Sequence, residues 1–274
     1  MIRLLATDLD GTLLRTDGTI SPRTRAALQV AEAAGLVIVF VTGRPVRWLD
    51  DVIEQTGHLG VAVGGNGAII YDLHDAQVLA AHPLAPDDAR KVALDIRRRF
   101  PEVAFASESL DGFAAEPAYV HDWAINPNVD RYGRPLPEPA VGDLDTVTGQ
   151  PLLKLLAKDR GADVDEFLTS VDALLAGRAT ATHSSSIGLL EISAPGVSKA
   201  TGLAEVAALH GMTREEIAAI GDMPNDIPML EWVGTSYAVS NGHPAARAAA
   251  QYVVASNDDD AVASVIESIL AAQG

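Results

Sequence analysis

Short apolar runs alternate with helix-like stretches at the start of this chain, break off, and resume near residue 197. Residues 2–7 and 36–41 are apolar with polar stops and read as buried strands. Between them Ser21-Pro22 makes a helix start, with Ser as N-cap and Pro at the first helical position, and Gly35 makes the stop. A helix is expected over 45–55, a strand from 61 to 63, and a small hairpin from 68–71 and 77–81. Strand, helix, strand, helix implies right-handed βαβ units and a mostly parallel sheet.

From about residue 84 the character changes. A helix over 87–100 carries Arg97-Arg98-Arg99 near its C-terminal end, where cations favour the helix dipole. Residues 131–151 are rich in Pro, Gly and Asp, with little periodicity. A strand over 152–157, a helix over 164–175 and two strands within 179–192, around Ser184-Ser185-Ser186, complete what reads as an α+β insert. The first rhythm then returns: helix 198–210, strand 217–220, short helix 226–232, strand 236–239 and a closing helix 258–272. The expected organisation is an α/β core of residues 1–83 and 191–274, interrupted by an α+β domain at 84–190.

Charge narrows the partners. Lys and Arg number 20 against 37 Asp and Glu, a formal charge of −17. Nucleic acid as main partner needs a dense basic surface, and an anionic membrane repels such a chain. A phosphorylated ligand must therefore be drawn in locally, by a metal and a few cations. The apolar share of 48% excludes a disordered chain, and the absence of cysteine excludes disulfides, thiolate metal sites and thiol nucleophiles. The first residues have the wrong length and flanks for a signal peptide, and no stretch approaches a membrane span. The expectation is a soluble cytoplasmic protein; its oligomeric state is not legible.

Four short segments carry chemistry. Asp8-Leu9-Asp10-Gly11-Thr12 follows the first strand, and Thr42-Gly43-Arg44 follows the second. Lys199 opens the helix that restarts the α/β rhythm, and Gly221-Asp222-Met223-Pro224-Asn225-Asp226 follows the strand after it. Singly each has an ordinary reading: an Asp-x-Asp turn, a helix entry, a surface lysine, a helix cap. Three of them are strand ends, where open parallel sheets form their ligand crevice. Brought together, Asp8, Asp10 and Asp222 repel one another unless a cation sits among them, and hard oxygen ligands suit Mg²⁺. Thr42 adds a hydroxyl, the next helix start adds backbone N–H donors, and Lys199 adds a point charge for phosphate oxygens. Phosphoryl transfer needs mainly this positioning and neutralisation.

Asp-Leu-Asp-Gly-Thr-Leu-Leu at 8–14, Val-Thr-Gly-Arg at 41–44, Lys199 and Gly-Asp-x-x-Asn-Asp at 221–226 resemble, in order, the four motifs of the haloacid dehalogenase-like hydrolases. Gly64-Gly65-Asn66-Gly67-Ala68, Asp226-Ile227-Pro228-Met229-Leu230, and Leu190-Glu191-Ile192 leading to Val197-Ser198-Lys199 resemble the Cof-type branch; Ala261 departs from it, where the branch often has Gly. The resemblance implies a Rossmann-like core with a large α/β cap between the second and third motifs. It implies that Asp8 attacks phosphorus to form an aspartyl-phosphate and that Asp10 is general acid and base. It implies Mg²⁺ held by the Asp8 carboxylate, the Asp10 backbone carbonyl and Asp222. Thr42, Gly43, Lys199 and Asn225 then bind phosphate, and Asp226 orients Lys199 or a metal-bound water. Tyr119, His121, Trp123, Lys154 and His183 are the insert's candidates for substrate contact, against an ordinary reading as packing or surface residues. The expected activity is a phosphoric monoester hydrolase acting on a small phosphorylated metabolite. The alternatives are a phosphomutase using the same intermediate and a non-catalytic sensor of a phosphorylated ligand.

Overall fold

The computed structural model describes residues 1–120, 138–185 and 188–273, and its chain divides into two compact units, Met1–Ala81 with Val197–Gly274, and His82–Gly196. The first unit begins with β1 (Leu4–Thr7), α1 (Pro22–Ala33), β2 (Val37–Val41), α2 (Asp50–Thr56), β3 (Val61–Gly64), β4 (Ile69–Asp72) and β5 (Gln77–Ala81). The second holds α3 (Pro86–Arg99), β6 (Ala104–Glu108), β7 (Phe113–Ala115), α4 (Pro117–Val120), β8 (Ala140–Val141) and α5 (Leu144–Thr148), then β9 (Lys154–Lys158), α6 (Val164–Leu175), β10 (Thr180–Thr182) and β11 (Leu189–Ser193). The first unit resumes with α7 (Lys199–Leu209), β12 (Ile217–Gly221), α8 (Ile227–Trp232), β13 (Thr235–Val239), α9 (Pro244–Ala249), β14 (Tyr252–Val254) and α10 (Ala261–Ala271).

The sheet of the first unit runs β14-β13-β12-β1-β2-β3-β4-β5. Its first six strands are parallel, and β4 and β5 close one edge antiparallel. Successive side chains of a strand point to opposite faces, so the apolar runs feed two cores. Leu5, Ile38, Phe40 and Ile220 pack with α1 and α10. Leu4, Ala6, Val39, Val41 and Ala219 pack with α7 and α8. Burial on both faces is why these strands are apolar throughout rather than alternating.

The second unit's sheet, β10-β11-β9-β6-β7-β8, is antiparallel except at β7–β8. One face is covered by apolar residues of α3, α5 and α6. The other carries Ala104, Ala106, Ala115, Tyr119 and Leu156.

Several expectations differ from what forms. The helix expected over 45–55 is a 3-10 turn, Val46–Trp48, followed by α2, because Pro45 sits in extended backbone ahead of it. The stretch 131–151 contains β8 and α5 among its described residues. β6 and β7 went unanticipated: Ala-Phe-Ala-Ser-Glu has little intrinsic strand preference, and pairing with β9 decides its state. The expected boundary at 190/191 falls inside β11, which pairs with β9 and β10 in the second unit. No helix among the described residues is long and apolar enough to cross a membrane.

Candidate active site

β12, β1 and β2 are adjacent in the middle of the sheet and parallel. The chain leaves them at Asp222, Asp8 and Thr42, so the three segments emerge along one edge. β1 is also where the strand order reverses, with β2 and β3 to one side and β12 to β14 to the other. Such switch points open a crevice beyond the strands' carboxyl ends.

Asp8 continues the ladder, its N–H donating to the Ile220 carbonyl at 3.0 Å, before the chain turns. Gly11 has a φ of +80°, and a Cβ there would collide with the Asp222 carboxylate, so the turn needs glycine both for its backbone and for that approach. Thr12 Oγ1 donates to Asp222 Oδ1 at 3.2 Å. Across the crevice, Ser198 caps α7 by a reciprocal exchange with Thr201. This fixes Lys199 at the helix's first position, where it is fully buried. Its Nζ donates to Asp8 Oδ1 at 2.5 Å and to Asp226 Oδ1 at 2.6 Å. The second oxygen of Asp226 accepts from the backbone N–H groups of Asp222 and Met223, at 2.9 and 3.0 Å. Asp226 is thus a brace between Lys199 and the Asp222 loop.

Carboxylate oxygens of Asp8, Asp222 and Asp226 lie within 4.8 Å of one another. Three buried carboxylates face one ammonium, and the electrostatics register the imbalance. Burial pushes the Asp8 carboxyl up to about 7 against the pull of Lys199, with Asp226 adding to the rise. Burial, then the charges of Asp8 and Asp226, push Asp222 up to about 9. Burial alone would favour the neutral amine of Lys199, but Asp226 and Asp8 outweigh it and hold its pKa above the ordinary lysine value. The site is short of positive charge, and a proton or a cation must supply it. Hard oxygen donors of this kind suit Mg²⁺. By distance all three carboxylates qualify; by hydrogen bonding, both oxygens of Asp226 are already engaged, so Asp8 and Asp222 are the better ligands.

Thr42 is buried, and its hydroxyl oxygen accepts from the Arg44 N–H at 3.0 Å. Gly43 lies in a bend before the 3-10 turn, and the helix start expected to supply anion donors there does not form until Asp50. Asn225 is buried; its Nδ2 donates to Asn66 Oδ1 at 3.1 Å, and its Oδ1 has no hydrogen-bond partner. Asp10 stands apart: its carboxylate is outside the buried cluster and is held by Arg44, at 2.7 Å to each oxygen.

Sequence reasoning gave Arg44 and Asn66 no role beyond membership of their motifs, and passed over Asp51. Asn66, in the turn after β3, lies between Gly65 and Gly67, with all three at positive φ. Its N–H donates to the Thr42 carbonyl, and the Gly65 N–H donates to that of Arg44, both at 3.0 Å. A Cβ on Gly67 would enter the Ser198 backbone. This turn therefore ties together the loops bearing Thr42, Lys199 and Asn225. Its readable signal was a Gly-Asn-Gly run directly after a strand, where left-handed backbone is cheap.

In the second unit, Lys154 and Glu191 form a buried pair at 3.4 Å and Tyr119 is buried. His183 bonds Asp165 of α6 and the Ser185 carbonyl, a packing role. Arg97 bonds Glu116, while Arg98 bonds Asp95 within its own helix. His121 and Trp123 lie outside the described residues.

Residues 5–266 match the sequence profile of the haloacid dehalogenase-like hydrolases. The chain is 30% identical over 270 residues to the 5-amino-6-(5-phospho-D-ribitylamino)uracil phosphatase YitU of Bacillus subtilis (strain 168), covering 96% of each chain. It is 28% identical to the pyridoxal phosphate phosphatase YbhA of Escherichia coli (strain K12), covering 98% of each. Among solved structures it is similar to BT1666 of Bacteroides thetaiotaomicron, described among phosphatases of this superfamily, with a TM-score of 0.78, 26% identity, and 98% and 95% of the two chains covered. A match over residues 5–266, with 96% of YitU covered, spans both units, and the chain belongs to the haloacid dehalogenase-like hydrolases.

Proposed function

We propose that this chain is a magnesium-dependent phosphatase of small phosphorylated metabolites that works through an aspartyl-phosphate on Asp8. The observation that carries the reading is the buried constellation of Asp8 with Lys199, Asp222 and Asp226. One Asp8 oxygen is fixed by the Lys199 ammonium, which orients the carboxylate while its other oxygen attacks phosphorus. The P–O bond to the leaving alcohol breaks as the new O–P bond forms, and Asp10 gives the alcohol its proton. Asp10 then takes a proton from the water that attacks the aspartyl-phosphate, releasing phosphate and restoring Asp8. Thr42, Gly43, Lys199 and Asn225 hold the phosphate oxygens, and Asp226 keeps Lys199 in place. Asp8, Asp222 and the Asp10 carbonyl would hold Mg²⁺, which would supply charge neutralisation for the transferring group.

For substrate class, the similarity to phosphatases of a ribitylaminouracil phosphate and of pyridoxal phosphate supports small phosphomonoesters on polar, ring-bearing scaffolds, vitamin precursors among them. The test is phosphate release from a metabolite panel, with and without Mg²⁺, by wild type and Asp8→Asn. Removing the nucleophile is expected to lower turnover by at least ~10³-fold on every substrate. Equal release by the two proteins would end the proposal.

A further inference from the structure

The Asp10 side chain is 46% exposed, against 7% for Asp8. A carboxylate so exposed is ordinarily mobile, and a single exposed ion pair does little to fix one. Its partner here is of another kind. Arg44 has a side chain only 9% exposed, and its Nε and Nη2 donate in parallel to Asp10 Oδ2 and Oδ1, each at 2.7 Å. The same guanidinium is gripped from behind. Nη1 donates to the Trp48 carbonyl at 3.1 Å and to the two oxygens of Asp51 at 3.2 and 3.3 Å. Asp51 itself is buried, on α2. A planar fork bound on two sides has a fixed plane, and a carboxylate paired bidentately to it inherits that plane. The charges argue against another use for Arg44. One guanidinium shared by two carboxylates sums to −1, which disfavours capture of a phosphate dianion.

We propose that Arg44, backed by Asp51, is the positioning residue that holds the Asp10 carboxylate in the orientation from which it acts as acid and base. The inference rests on the phosphatase reading and deepens it. It separates Arg44 from Thr42 and Gly43, its neighbours in sequence: those face the phosphate, and Arg44 faces the proton carrier.

The test compares wild type, Arg44→Ala, Arg44→Lys and Asp51→Asn with Mg²⁺ on two probes, glucose 6-phosphate and p-nitrophenyl phosphate, each variant first checked for a cooperative melt. Glucose leaves as a poor alkoxide that needs a proton, whereas nitrophenolate leaves without one. Expected are a fall in kcat on glucose 6-phosphate of about 10²-fold for both Arg44 variants, the usual worth of a positioned general acid, and KM within about threefold of wild type. Asp51→Asn should fall in the same direction by roughly tenfold, since it loosens the fork without removing it. In single turnovers on p-nitrophenyl phosphate, the Arg44 variants should phosphorylate Asp8 at near the wild-type rate. Arg44→Lys acting like wild type would overturn the proposal, because charge without the fork would then suffice. So would a rise in KM with kcat unchanged, the mark of a phosphate clamp. Equal losses on both probes would also overturn it, as a general distortion of the site. Wild type inert on both probes overturns the phosphatase reading, and this inference with it; wild-type turnover matched by the Arg44 variants overturns this inference alone.

Discussion

Asp8, Asp222, Asp226 and Lys199 in the first unit and Glu108, Lys154 and Glu191 in the second are all buried, yet they are built differently. The first set stands on the turns after parallel strands and at a helix start, and brings three carboxylates to one ammonium. The second stands on the strands themselves. Lys154 lies directly opposite Glu108 in the antiparallel ladder and 3.4 Å from Glu191. Residues within a ladder are held by its hydrogen bonds and pair across strands. Residues on turns are free to converge, and only there does the sequence concentrate glycine and aspartate. Excess buried charge at strand ends implies a cation site; charge set within a sheet implies a structural or recognition role.

The sharpest way to break this contrast is to measure what a bound cation is worth. The raised pKa values of Asp8 and Asp222, about 7 and 9 against an ordinary 3.8, mean that the folded, metal-free protein holds protons the unfolded chain gives up. Their contribution to stability is full below about pH 3.8 and is lost as pH rises through the folded values. Metal-free protein should therefore weaken between about pH 4 and 9 by several kcal/mol, at about 1.4 kcal/mol per pK unit. Saturating Mg²⁺ should restore stability at pH 8 and do little at pH 5, since protons and metal compete for the same oxygens. Asp222→Asn should abolish the Mg²⁺ response and activity while making the metal-free protein more stable than wild type at pH 8. Urea unfolding with and without chelator at the two pH values measures all of this. A metal-free wild type equally stable at both, with no response to Mg²⁺, removes the charge-imbalance argument.

Next in size is the second unit's pair. Lys154→Met deletes the ammonium set between Glu108 and Glu191, and removing one partner of a buried pair costs about 3–5 kcal/mol. Lys154→Met with Glu108→Gln and Glu191→Gln should recover much of that loss, because neutral replacement of both carboxylates leaves no stranded charge. Asp8 phosphorylation by p-nitrophenyl phosphate, measured below the variants' melting range, should stay near wild type. A collapse of phosphorylation in a variant that melts normally would make Lys154 part of the chemistry and erase the difference between the regions.

The same difference decided what the sequence made legible. Asp8, Lys199 and Asp222 could be read because each opens or closes an element whose start or stop is itself written locally: a polar stop, a Ser N-cap, a Gly-Asp turn. The parallel direction of β1, β2 and β12 follows from the strand–helix rhythm, whereas the adjacency of β12 to β1 that places them together is seen only in the sheet. Arg44 was visible only as a letter of its motif, since its partners, Asp10 and Asp51, come from another loop and from a helix shorter than expected. Asn66 needed the knowledge that three residues in succession take left-handed backbone. The second unit was harder because antiparallel strands such as β6 draw their state from neighbours, and Glu108 and Lys154 meet only once the register is known.

The smallest effects come from two left-handed residues that are not glycine. Asn66, at φ 59°, lies in the bracket turn of the first unit; Ala176, at φ 46°, ends α6 in the second and is exposed. Glycine enters this backbone region freely, whereas an ordinary side chain pays roughly 1–2 kcal/mol. At Ala176 nothing but that strain is at stake, so Ala176→Gly should stabilise by up to about 1 kcal/mol, partly offset by the looser unfolded chain, and leave kcat unchanged. At Asn66 strain and function are superposed, and glycine separates them. Asn66→Gly keeps the turn but strips Asn225 of its acceptor, leaving a buried donor unpaired at about 1–3 kcal/mol. Asn66→Ala loses the same acceptor and adds the strain, so it should be less stable than Asn66→Gly by about 1 kcal/mol with the same kcat. Thermal melts and initial rates on one substrate resolve the four proteins. If Asn66→Gly gained stability without losing activity, as Ala176→Gly should, then the turn after β3 would be a connection like any other, and its asparagine would have no hold on Asn225.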